Sequence, residues 1–265
     1  SRTARAAISW SSRWNGPEAP VTPPSVPRRS SRIRLAAAGL AVAGLVGVGW
    51  GLWQVSRARC FALTAPVVCR VETDAPLVAL TFDDGPTPDG LAAILPALQA
   101  HGAHATFFLI GREAAARPEL VKRLLVAGHE VGDHSYTHAR MVGRPTGVYE
   151  REIGDTEAVL RRAGAASGLF RPPYGKKLFG LPLAARRHGL TIVMWDVEDP
   201  ATTDPRAYAD QVVAQARPGS IILVHAMYGA NATARAALPM ILDGLAAKGL
   251  KPVSVGELMR AGRGG

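Results

Sequence analysis

"LVALTFDDGP", Leu77 to Pro86, sets an apolar run directly against two adjacent carboxylates and a Gly-Pro pair. The run has the length of a buried strand, and the Gly-Pro pair marks a turn. Taken alone, Asp83 and Asp84 are turn acids that solvate a strand end. The alternative is a division of labour, one acid holding a metal and the other moving a proton. The rest of the chain has to decide between these readings.

Similar apolar runs recur from Pro76 onward: "ATFFLI" (105–110), "LTIVMW" (190–195), "SIILV" (220–224) and "KPVSV" (251–255). Between them lie stretches with helical spacing, such as "PELVKRLLVAG" and "RAYADQVVAQARPG". Gly102, Gly128, Gly164, Gly189, Gly219 and Gly249 stand where helices end before the next run, as a left-handed helix terminus requires. Alternating strands and helices predict a parallel sheet, and six or seven such units suit a barrel better than an open sheet. In such barrels the chemistry sits at the C-terminal ends of the strands. Asp83 and Asp84 follow the first run there, and His225 follows "SIILV".

The chain has 265 residues, 48% of them apolar, which is enough to bury a core, and a net charge of +10. That charge is uneven. Residues 1–34 hold seven arginines and a single acid, Glu18, among Ser, Pro, Ala and Gly, and are expected to be a disordered basic arm. No repeated pattern marks the arm for nucleic acid, and no nucleic-acid partner is expected. Next comes "LAAAGLAVAGLVGVGWGLW", Leu35 to Trp53, nineteen residues without a charge. A bilayer core needs about 20 such residues as a helix. A cleaved signal peptide is the competing reading, but its apolar region is usually only about 7–15 residues. The segment 35–55 therefore reads as a single-pass signal anchor, membrane-bound through Leu35 to Val55. Its preceding arginines belong on the cytoplasmic side, which places the bulk of the protein outside. In the linker 56–74, Cys60 and Cys69 read as a disulfide in an oxidising compartment, with two free thiols as the alternative.

"GHEVGDHSYTH", 128–138, contains His134 and His138. Four positions on a helical turn would put both imidazoles on one face. With a carboxylate from another strand end they make two histidines and an acid, a common zinc set that leaves a position open to water. His101, His104 and His188 read as structural or surface residues, and His129 as a polar group inside the barrel without a role. "RPPYG", 171–175, offers an arginine that orients a carboxylate bidentately and a loop N–H for developing negative charge. His225 is a candidate proton donor where a buried strand opens to solvent.

Together, "TFDDG", "HSYTH", "RPPYG" and "ILVH" resemble, in order and separation, the polysaccharide deacetylase family, the carbohydrate esterases with the nodulation-type deacetylase domain. The resemblance covers about residues 75–260, and the catalytic domain is set at 75–265. It implies a distorted (β/α) barrel of about seven parallel strands. It also implies Asp83 as general base, with Asp84, His134 and His138 as ligands of a divalent metal, zinc, cobalt or another ion. Arg171 would orient Asp83, and the Tyr174 backbone N–H would contact the oxyanion. Leu223 would line the acetyl-methyl pocket, and His225 would be the general acid. The implied substrate is an N-acetylated amino-sugar polymer, peptidoglycan or a chitin-like oligosaccharide. An O-acetyl esterase and a glycan-binding pseudoenzyme are the alternatives.

One motif departs. In "WDVEDPATTD", 195–204, Glu198 stands where the family usually has Asp, and no Trp follows the acids. Trp195 is either core or part of the sugar groove. Asp196, Glu198 and Asp199 are the acids available to pair with His225, and the spacing from Trp195 favours Glu198.

Overall fold

The computed structural model describes residues 29–166 and 168–262, with Gly16 and Thr22, so most of the expected basic arm lies outside the described residues. Two units are distinguished, Ser1–Gly47 and Val48–Gly265. Helix α1, Arg29–Arg57, begins in the first and ends in the second. Its 25-residue stretch Ile33–Arg57 is long and apolar enough to cross a bilayer, about 38 Å at 1.5 Å per residue.

In the second unit, strands and helices alternate as the apolar runs predict. β1 (Val67–Val68) and β2 (Leu77–Asp83) precede α2 (Pro88–Ala100). β3 (Thr106–Leu109), α3 (Gly111–Ala116), α4 (Pro118–Val126) and β4 (Glu130–Asp133) follow, then α5 (Thr146–Arg162) and β5 (Leu169–Phe170). The chain closes with α6 (Gly180–Arg187), β6 (Thr191–Val193), α7 (Pro205–Gln215), β7 (Ile221–Val224), α8 (Ala232–Ala247), β8 (Lys251–Val253) and α9 (Val255–Gly262). The strands pair in parallel in the order β1-β6-β5-β4-β3-β2-β7, and β8 pairs the first residues of β2. The sheet curls back on itself. Val197, just past β6, bridges Ile222 of β7, and Arg70, just past β1, bridges Ser220. This curled sheet of seven strands in line, with helices around it, is the distorted barrel that the sequence predicts.

Strand parity then divides the core. Val78, Leu80 and Phe82 of β2 pack outward with Leu91, Ile94 and Leu242 of the surrounding helices. Ala79 faces the inside with Phe108, Phe170, Ile192 and Leu223. Successive residues of a strand point to opposite faces, so Thr81 and Asp83 follow Ala79 inward. The loop after Asp83 is pinned by a helix cap. Thr87 accepts the Gly90 N–H at 3.1 Å, and its hydroxyl donates to the Met227 carbonyl at 2.5 Å, tying α2 to the loop after β7.

All six glycines read as helix ends have positive φ. Their surroundings differ. A Cβ at Gly102 (φ 56) meets nothing within 4 Å, whereas one at Gly219 (φ 83) falls on the Val71 carbonyl oxygen. Gly219 also accepts the Val71 N–H at 2.9 Å and donates to Leu77 at 2.8 Å, joining the linker to the sheet. Gly102→Ala should therefore cost only the left-handed penalty of about 1–2 kcal/mol. Gly219→Ala should cost clearly more, because the linker must also move. Denaturant midpoints of the two variants measure this, and equal losses would contradict it.

Candidate active site

Asp83 ends β2 inside the curl, fully enclosed, and its Oδ1 accepts a hydrogen bond from Arg171 Nη1 at 2.7 Å. The same nitrogen lies 2.8 Å from Thr81 Oγ1, Nε donates to the Val193 carbonyl at 3.3 Å, and Nη2 to the Met194 carbonyl at 3.1 Å. Arg171 therefore holds Asp83 through one nitrogen rather than by the bidentate fork the sequence suggests. Its remaining donors are committed to β2 and β6. The guanidinium carbon also sits 4.2 Å from the Phe108 ring centre and 5.5 Å from that of Trp195. Burial works against the Asp83 charge, but Arg171, with His134 and His225, outweighs it and holds the carboxyl below its ordinary value.

Asp84 leaves the strand register with a left-handed backbone, φ 76. Its Oδ1 lies 3.9 Å from His134 Nε2 and 3.5 Å from His138 Nε2. His134 Nδ1 donates to the Arg171 carbonyl at 2.7 Å, which fixes the tautomer and leaves Nε2 with its lone pair toward the carboxylates. Burial and the neighbouring His134 lower the His138 pKa against the pull of Asp84 and Asp83, which favours the neutral, ligating form.

The two histidines are not on a helical turn. They lie in the loop after β4, folded by Ser135 (φ 65) and His138 (φ 59). Asp133 Oδ1 accepts the Ser135 N–H at 2.6 Å, and Ser135 Oγ accepts the His138 N–H at 3.1 Å. These short side-chain-to-backbone bonds offer the chain an alternative to helix, and they still bring the rings together, tilted by 52° with centres 4.9 Å apart.

Beside β2, its pairing partner β7 places Ile221 and Leu223 inward, and His225 continues that register into the pocket. Asp196 instead accepts bonds from the Ser220 hydroxyl at 2.9 Å and the Ile221 N–H at 2.8 Å. Glu198 pairs with Arg59 at 2.6 Å. The partner of His225 is Asp199, which accepts from its Nδ1 and its backbone N–H, so spacing from Trp195 misidentified Glu198. The adjacent acids of "VED" gave no parity signal, because the chain leaves β6 before reaching them. Tyr208 donates its hydroxyl to Asp199, and Asn231 Nδ2 donates to the His225 carbonyl at 2.9 Å, two supports that the sequence reading missed. Burial alone would depress the His225 imidazole. The Asp199 hydrogen bond and the charges of Asp83, Asp199 and Asp84 push it up to about 9.

Asp83, Asp84, His134, His138, Tyr174, Trp195, Leu223 and His225 line one cavity of about 360 Å³, with Arg171 directly beneath. Trp195 serves both readings, since it is largely buried and also lines the cavity, and among the described residues its buried indole N–H has no partner. Tyr174 (φ 58) is half exposed at the rim, its ring 4.8 Å from that of His138. His129 lies elsewhere, beside His104 in a depression at the N-terminal ends of the strands, where burial and His104 lower it to about 4.

Known proteins resemble this chain in both sequence and fold. The polysaccharide deacetylase pattern matches residues 70–193. Over 190 residues the chain is 35% identical to a peptidoglycan-N-acetylglucosamine deacetylase of Bacillus cereus, covering 70% of this chain and 69% of the relative. It is 38% identical to a chitooligosaccharide deacetylase of Sinorhizobium fredii, over 60% of this chain and 75% of the relative. The solved structure of the Bc1960 peptidoglycan N-acetylglucosamine deacetylase superposes with a TM-score of 0.70 at 32% identity, covering 73% of this chain and 92% of that one. The fold, the placement of the acids and histidines, and these likenesses lead to one conclusion: the chain belongs to the polysaccharide deacetylase family.

Proposed function

We propose that the protein hydrolyses the N-acetyl groups of an amino-sugar polymer, peptidoglycan or a chitin-like oligosaccharide. The observation that carries this reading is the meeting, in one cavity, of a three-ligand cluster with two acid–base residues carried at the ends of the adjacent strands β2 and β7. Asp84, His134 and His138 each offer one ligand atom, all within 4.8 Å of one another. One carboxylate oxygen and two imidazole nitrogens fit zinc, with cobalt or a similar divalent ion as an alternative. When bound, such an ion polarises the acetyl carbonyl and lowers the pKa of water.

The chain's own residues do the rest. Asp83, kept ionised by Arg171, takes a proton from the attacking water. The Tyr174 backbone N–H donates to the oxyanion that develops, and Leu223 receives the acetyl methyl group. His225 gives its Nε2 proton to the leaving amine while Nδ1 stays on Asp199. Trp195 offers part of its ring to the cavity wall as an apolar surface for a sugar. The assignment is tested by acetate release from peptidoglycan, chitooligosaccharides and acetylated xylan, with and without chelator. Release from the amino sugars alone is expected. Release confined to xylan would make the enzyme an O-acetyl esterase, and none from any substrate would make it a binding protein.

We also infer that Leu35 to Val55 anchors the chain in the cell membrane with the catalytic domain outside, as the arginines preceding the helix favour. In intact cells, a protease should cut beyond residue 57 and spare a tag at Ser1. Loss of the tag instead would reverse the orientation.

The adjacent acids should separate cleanly. Asp83→Asn is expected to keep the metal and lose roughly 10²–10⁴ in turnover. It should also lose stability, because a buried guanidinium is left without its counter-charge. Asp84→Asn should lose the metal itself. Equal metal content and equal activity in the two variants would refute the division.

The His225–Asp199 pair sets a pH dependence. A general acid works while protonated, so activity falls as pH rises through the raised His225 pKa of about 9. Asp199→Asn removes the carboxylate that favours the charged form, so the alkaline limb should move down toward the ~6.5 of an unperturbed imidazole. Glu198→Gln should leave that limb in place. A limb that ignores Asp199 would remove His225 from the role.

A further inference from the structure

Among the described residues beyond α1, six expose a large apolar side chain: Phe61, Leu63, Val126, Tyr174, Phe179 and Leu183. All but Val126 lie on two segments, 58–69 and 174–183, which are joined. Thr64 Oγ1 donates to the Phe179 carbonyl at 2.9 Å, and the Lys177 N–H donates to the Ser56 carbonyl at 3.1 Å. The buried Lys177 ammonium caps the Ala58 carbonyl, and the Cys60–Cys69 disulfide closes the first segment. The face is therefore held in place by bonds, not assembled from loose loops.

Cations border it. Lys176 Nζ lies 4.7 Å and the Arg57 guanidinium carbon 5.9 Å from the Trp53 ring centre, and Arg140 lies 5.3 Å from that of Tyr174. Among the described residues none of the three has a carboxylate partner. Burial, Arg57 and Arg140 together hold the Lys176 ammonium below its ordinary pKa, as crowded like charges do. Exposed aromatic and aliphatic side chains interleaved with unpaired cations match the chemistry of an acidic bilayer's headgroup region. Continuity points to the same occupant, since Arg57 ends the apolar helix and the face begins at the next residue.

We propose that segments 58–69 and 174–183, with Arg57, Lys176 and Arg140, dock on the headgroups of an acidic bilayer. This rests on the anchor reading above. The face meets the catalytic cavity directly, because Tyr174 and Glu198 line the cavity and Arg59 holds Glu198 at 2.6 Å. The cavity then works against the membrane, on glycan lying close to the bilayer, rather than out in the wall.

The test uses the full chain reconstituted into vesicles of phosphatidylcholine alone or with phosphatidylglycerol. Resistance to carbonate extraction reads the anchor, and amide hydrogen exchange over 59–66 and 176–184 reads the docking. Docking predicts slower exchange in both segments with phosphatidylglycerol, reversed by salt. Lys176→Glu should weaken docking about fivefold or more, the contribution of one cation near an acidic surface. The exposed changes Phe61→Ser and Phe179→Ser should abolish the protection while the fold stays intact. A chain that resists carbonate but exchanges equally in both vesicles overturns the docking alone, as does protection produced only by carboxylated glycan. A chain extracted by carbonate sinks the anchor, and the surface with it.

Discussion

The site depends on one buried guanidinium. Arg171 has no exposed surface, yet its donors reach Asp83, Thr81 and the carbonyls of Val193 and Met194, and its own carbonyl accepts the His134 Nδ1–H. A single residue therefore fixes the carboxylate at the end of β2, the end of β6 and the tautomer of a histidine after β4. A charge in such a place is tolerated only because it is paired and hydrogen-bonded through all three of its nitrogens. Removing one member of such a pair typically costs about 3–5 kcal/mol, far more than an exposed ion pair would contribute. The proline-flanked turn of "RPPYG" is thus a structural device, whatever it contributes to the proposed reaction.

The same constraint explains why two neighbouring aspartates can differ. Asp83 keeps strand register and so points inward to the guanidinium. Asp84 breaks register with φ 76 and turns toward the two histidines. The pattern recurs on the neighbouring strand, where Leu223 keeps the inward register of β7 and His225 follows it to a carboxylate of its own. Asp83 and His225 thus each have a fixed ionic partner. Arg171 favours a charged base at Asp83, and Asp199 favours a charged acid at His225. In the proposed reaction those are the states that a base and an acid need before proton transfer begins.

Much of this was legible in the sequence because it follows from period-two strands and glycine-terminated helices. "LVALTF", "ATFFLI" and "SIILV" are continuous apolar runs because their strands are buried on both faces, as in parallel sheets. β4 and β5 escaped notice for the opposite reason. "EVGD" breaks its apolar run with a glycine because the interior side must leave room for the Phe108 ring, against which a Cβ at Gly132 would press, and β5 is only two residues long. His134 and His138 were found by spacing, but their helical turn was an error of mechanism. Asx-type bonds from Asp133 and Ser135 make a loop do the work of a helix. Asp199 could not be separated from Glu198 and Asp196 without coordinates, since all three lie on an irregular segment where neither period applies. Its Tyr208 contact comes from a helix nine residues on, at no motif spacing.

The central claim is that two adjacent carboxylates hold separate posts, one on Arg171 and one in the ligand cluster. Crystals of the protein soaked with zinc and measured by anomalous diffraction at the zinc edge test it most directly. The account predicts a single strong peak enclosed by Asp84, His134 and His138, with Asp83 still bonded to Arg171 and outside ligand distance. A peak that Asp83 ligates in place of Asp84, or an Arg171 released from Asp83 when the ion binds, would contradict it.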